Sequence, residues 1–182
     1  MDLFDRFAGN DSWHTRKLLE YAAALPDKDL DRPLNSVIEI LPWREATKTL
    51  RQLLENIIFT KEVWAAALAG TDMPYANGTP ETDRTPAMML SRLEKADAML
   101  HRVFDDVRQR GNWSDTFVDA LCEPAETFTF GGVFAHIMTF NAHRRIMALD
   151  ALRQLGVRTE GFGDPMEYEQ NVAPWPALNS AR

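Results

Sequence analysis

The sequence predicts an all-α fold, a four-helix bundle with long crossover connections. Three observations carry that prediction. Four segments repeat apolar residues at three- and four-residue steps, each long enough for a full helix. The prolines fall between these segments or at a first turn. One stretch alone, just before the last helix, has strand character. With 182 residues, 45% of them hydrophobic and 26% charged, the chain has the size and balance of one sizeable globular core.

The first helix spans 3–24 on Leu3, Phe7, Trp13, Leu18, Leu19, Tyr21 and Ala22. Asn10, Asp11 and Ser12 form an internal capping signal. Either one helix runs through them or a short turn precedes the main helix. Leu25-Pro26-Asp27 ends it, because a residue before proline is pushed out of the α region. The polar connection that follows contains one aliphatic run, Val37 to Leu41, placed to cover one end of the bundle. The second helix, 44–69, carries Leu50, Leu53, Leu54, Ile57, Trp64 and Leu68, and Gly70 closes it.

Residues 71–86 are rich in proline, threonine, glycine and acids, and their length suits a crossover rather than a tight antiparallel hairpin. The third helix, 86–110, opens on Pro86 and turns Met89, Leu93, Ala96, Leu100, Val103, Phe104 and Val107 inward. Asp115 to Val118 and Phe128 to Phe130 flank a turn at Glu123-Pro124, which predicts a short hairpin or extended cover. The fourth helix, 130–155, follows Gly131-Gly132 and stops at Gly156. Its apolar stripe is Phe134, Ile137, Met138, Ala148, Ala151, Leu152 and Leu155. This divides the chain into a bundle over 1–160 and an irregular tail over 161–182, anchored by Phe162, Met166, Tyr168 and Trp175.

The net charge of −7 argues against a nucleic-acid or anionic-membrane partner. No apolar run reaches the roughly 18 residues of a membrane span. The acidic start lacks the order of a signal peptide, and a single cysteine cannot form an internal disulfide, so a cytoplasmic location is expected. Cys122, with no base near it in sequence, reads as an inert thiol.

Three pieces then share one resemblance. Trp13 followed by Leu18-Leu19 and the Leu25-Pro26 turn, LRQLLENIIFTKEVWAAALAG over 50–70, and HIMTFNAHRRIMALDALRQLGV over 136–157 occur in the order and spacing of the DinB/YfiT-like four-helix-bundle proteins. The resemblance covers nearly the whole chain. It implies a divalent metal held by one histidine on the second helix and an H-x-x-x-H pair on the fourth. Some members use that metal to activate a small thiol for transfer or isomerisation. In this chain those three positions hold Asn56, Phe140 and Arg144. A phenyl ring donates no lone pair, a guanidinium repels cations, and an amide is a poor zinc or nickel ligand. No metal cofactor is therefore expected, unless the site is displaced.

The histidines of the fourth helix have three readings. His136 is a hydrogen-bonded structural histidine, with His143 flanking a helix interface. Or Asn56, His136 and Arg144 line a metal-free pocket for a small polar or anionic ligand, with Phe140, His143 and Glu62 nearby. Or His136 and His143 hold a displaced metal, although seven residues along a helix is roughly 10 Å. Glu62 is expected to pair with Arg144 or Arg145. His14 and His101 read as surface or edge residues, and Asp164, Glu167 and Glu169 as a solvated tail.

Three functions follow. The leading one is a metal-independent, small-ligand-binding bundle with a degenerate active site. The alternatives are a metal-dependent thiol transferase, isomerase or hydrolase-like enzyme, and a non-catalytic dimeric interaction module. Spare apolar residues in the tail and loops point to a homodimer.

Overall fold

Local signals at the helix ends set the element boundaries. The computed structural model describes residues 2–35, 47–161 and 163–172. Helix α1 runs unbroken over Leu3–Ala23, capped by a reciprocal Asp2–Asp5 box. A one-turn helix, α2, follows at Asp27–Leu30. Helix α3 covers Leu50–Ala69, with the Thr49 hydroxyl accepting from the Gln52 amide at its start and left-handed Gly70 at its end. After a 3₁₀ turn at Glu81–Arg84, α4 spans Pro86–Arg110, with Thr85 as cap and Pro86 in the first turn. Strands β1 (Thr116–Asp119) and β2 (Glu126–Thr129) form an antiparallel hairpin, Phe117 opposite Phe128. Helix α5 covers Phe130–Gln154, and α6 covers Pro165–Asn171.

The fold is the expected all-α bundle, with four local corrections. Asn10 and Asp11 do not cap a second helix; they are buried inside α1, where Asp11 has charged partners on other helices. The second long helix starts at Leu50, not at 44, because Thr49 supplies the cap and residues 47–49 are non-helical. The tail carries an ordered helix, α6, N-capped by Asp164 and packed on α1 through buried Tyr168. Glu169 there is buried and bonded to Arg6 instead of solvated. The Val37–Leu41 run, Phe162 and Trp175 lie outside the described residues.

Two apolar clusters define helix direction. One joins the C-terminal halves of α1 and α5 (Leu18, Leu19, Ala148, Leu152) to the N-terminal halves of α3 and α4 (Leu50, Leu54, Met89, Leu93). The other joins Phe4, Val133 and Ile137 to Trp64, Leu100 and Phe104. Thus α1 and α5 run one way, and α3 and α4 the other. The long 71–85 segment is the crossover that two parallel neighbours require.

Between the clusters lies a charged layer with one member from each long helix. Lys61 (α3) donates to Asp11 (α1) at 2.8 Å and to Asp97 (α4), and Arg145 (α5) donates to the other Asp11 oxygen. Two carboxylates meet two cations, so the layer is neutral. Burial alone would raise the Asp11 pKa, but Lys61 and Arg145 hold it below the usual carboxylate value.

Candidate functional site

Helices α3 and α5, which pack together along a seam, carry the residues singled out by the sequence. The Trp64 and His136 rings meet edge-on at 5.4 Å and fix the register of this antiparallel pair. Eight residues before Trp64 on α3 comes Asn56, and eight after His136 on α5 comes Arg144, so the antiparallel count carries both to one level, roughly 12 Å farther along. On α5, His136 stacks on Phe140 at 4.4 Å, and the Arg144 guanidinium lies over the other side of the step, 5.7 Å from the Phe140 centroid. These residues recur every four positions because such a spacing returns to one helical face.

Arg144 is the unusual member. It is only 6% exposed, and it has no ion pair among the described residues. Its Nη1 is buried without a hydrogen-bond partner among the described residues. Burial lowers its pKa from the ordinary arginine value. Trp64 Nε1, on the facing helix, is also buried with no hydrogen-bond partner among the described residues. Asn56 is buried beside a small cleft of about 40 Å³, which Glu55, Phe59 and Gly78 also line. Burial, and then the Arg144 charge, lower the His136 pKa, so its imidazole is neutral at pH 7.

Two sequence expectations fail here. His143 is exposed on the outer side of α5, its ring 6.0 Å from Phe140, and lines no interior pocket with the others. Glu62 meets neither Arg144 nor Arg145. It is claimed by Arg92 of α4, whose five N–H groups donate to Glu62 twice (2.9 and 2.7 Å), to Glu55 twice (2.7 and 3.0 Å) and to the Asp83 carbonyl (3.0 Å). Tyr75 covers that guanidinium at 4.8 Å. Glu55 and Glu62 stand seven residues apart on one face of α3, which is the signal that sequence reading passed over.

His14 was also misplaced: it is 6% exposed, with Nε2 3.1 Å from the Asp164 carbonyl. His101 sits at the edge against Phe4, ring centroids 5.4 Å apart. The Cys122 thiol donates to Asp119 at 3.3 Å, and burial with that carboxylate pushes its pKa up to about 11. Such a thiol is a poor nucleophile at neutral pH.

The donor set does not fit a divalent metal at the seam. The positions implied by the resemblance present an amide, a phenyl ring and a buried guanidinium, and the last carries charge of the same sign as the ion. Among the described residues, no three His, Cys, Asp or Glu side chains are grouped to hold a metal elsewhere. No described helix is long and apolar enough to cross a membrane.

Comparison with known proteins returned no match among curated proteins and none among solved structures. The sequence profile of the DinB superfamily matches residues 11–148, which takes in all of α3 and α5 as far as Ala148. The chain belongs to the DinB superfamily.

Proposed function

We propose that this protein is a metal-independent, small-ligand-binding member of its superfamily, in which Arg144 supplies a fixed positive charge where relatives of the resembling pattern hold an ion. One observation carries the reading: a 94% buried guanidinium that, among the described residues, has an unpartnered Nη1 and no ion pair. An unpaired buried charge costs several kcal/mol, roughly. Such a cost persists in a folded protein when something outside the chain offsets it, as a bound anion does. Guanidinium geometry suits a carboxylate or phosphate, Asn56 carries donor and acceptor atoms on the neighbouring helix, and neutral His136 can donate or accept.

The test is anion binding with chelator present. Acetate and inorganic phosphate, titrated separately, should perturb the Asn56 and Phe140 amide resonances in a saturable way. Arg144→Met should abolish the response while leaving the helical circular dichroism intact. Saturable binding that survives Arg144→Met, or no response to either anion in the native protein, would refute the reading.

A further inference from the structure

A second cavity is walled by α1, α5, α6 and the segment that leads into α6. It encloses about 350 Å³, within the range of small-molecule sites. Trp13, Leu18 and Leu149 supply its apolar wall. The charged side chains around it are already engaged. Lys17 pairs with Glu20 at 3.0 Å, and its ammonium lies 5.9 Å from the Trp13 ring centroid. The Glu167 carboxylate accepts from the Gly163 amide at 3.2 Å and packs on Gly161. Arg145 is matched by Asp11. Glu160 is exposed at the mouth, where water and salt screen it. A guest with a net charge would have to break one of these arrangements or compete with solvent.

What stays open on the inner wall is hydrogen bonding. His14 and Arg145 both line the cavity and are only 6% and 5% exposed. Of the Arg145 nitrogens, Nη1 alone bonds a described residue, so Nε and Nη2 keep N–H groups to donate. A carbonyl only accepts, so the Asp164 contact at 3.1 Å places the His14 proton on Nε2 and leaves Nδ1 as an acceptor. Burial lowers the His14 pKa, which keeps the ring neutral at pH 7. The two groups are neighbours: His14 follows Asp11 by one turn on the same face of α1, and Asp11 holds Arg145. The wall thus presents donors beside an acceptor, with the charge already matched.

We propose that this cavity is a second ligand site, separate from the α3–α5 seam, and that it takes a small uncharged molecule with an aromatic body and a primary carboxamide. The amide oxygen accepts from Arg145, the amide N–H donates to His14 Nδ1, and the ring lies on Trp13, Leu18 and Leu149. Benzamide is the probe. Two analogues keep its outline: benzoate, which sets a lone pair and a charge where the N–H was, and acetophenone, which has a methyl group there. Titration of the full chain, followed by amide shifts, should give saturable changes around Leu18, Leu149 and Gly161 at about millimolar benzamide. Shifts at Asn56 and Phe140 report the seam and are scored apart. Each analogue should bind at the cavity about tenfold more weakly than benzamide. Leu149→Trp, which fills the cavity from a half-buried position, should abolish the benzamide response with the helical circular dichroism intact. His14→Phe should bind benzamide and acetophenone equally. No saturable shifts at the cavity, an analogue that binds as well as benzamide, unchanged binding in Leu149→Trp, or discrimination retained in His14→Phe would each overturn the proposal.

Discussion

Arg144 and Arg145 are consecutive, on one helix, and equally buried at 6% and 5% exposure, yet their surroundings differ completely. Arg145 turns toward α1 and joins the neutral layer of Asp11, Lys61 and Asp97. Arg144, about 100° farther back around the helix, lies over the Phe140 ring of its own helix and has no ion pair among the described residues. The lesson is that a buried charge has to be explained by its partner. Where the partner belongs to the chain, the residue is part of the scaffold; where no described residue supplies one, as at Arg144, the position is the one we propose for a ligand. Arg92, with all five donors taken, stands on the scaffold side of that divide.

The largest expected effect comes from breaking the satisfied layer. Asp11→Ala leaves Lys61 sharing only Asp97 and strands Arg145, and should destabilise the fold by about 3–5 kcal/mol in urea denaturation. Acid should act through the same group. The Asp11 pKa is depressed in the folded state, so its contribution is present above its ordinary value of 3.8 and is lost as pH falls through the lower folded value. A stability curve for Asp11→Asn that tracks the native protein below pH 4 would show that the layer does not govern acid unfolding.

Arg144→Met should change stability in the opposite direction. Removing an unpaired buried charge and retaining its hydrophobic volume should stabilise the unliganded protein by about 1–2 kcal/mol. A loss of comparable size would mean that Arg144 has a protein partner and belongs with Arg145.

The smallest effect is on His136. Burial is the main cause of its lowered pKa and Arg144 the lesser one, so in Arg144→Met the value should rise but stay below 6.5. For the native protein the sign is fixed. A histidine lowered in the folded state costs stability as pH falls from 6.5 toward its folded value, because the unfolded chain takes the proton first. Imidazole proton shifts across a pH titration measure both.

Much of the fold was legible because helical periodicity and end signals are local. Thr85-Pro86 and Gly111 bound α4 as the sequence alone suggests, and Thr129 with Gly156 does nearly the same for α5. The crossover between α3 and α4 could be read from its length. The charged layer could not, because Asp11, Lys61, Asp97 and Arg145 lie on four separated helices, and only packing shows that they share a level. Asp11 looked like a cap because Asn-Asp-Ser is capping chemistry, whereas tertiary ion pairs put it mid-helix. At the seam, the identities of Asn56, Phe140 and Arg144 were readable from the resemblance. That Arg144 has no ion pair among the described residues was not, since Glu62 is a nearby carboxylate in sequence and only packing shows Arg92 holding it.

The account rests on the seam being occupied by a protein cation and not by a metal, and metal retention tests that most directly. Purified full-length protein, exposed to zinc and to nickel and then desalted, should carry neither in stoichiometric amount by elemental analysis. One equivalent of either metal per chain, retained by the native protein and lost in His136→Ala, would contradict the account and return the histidines of α5 to the role of ligands.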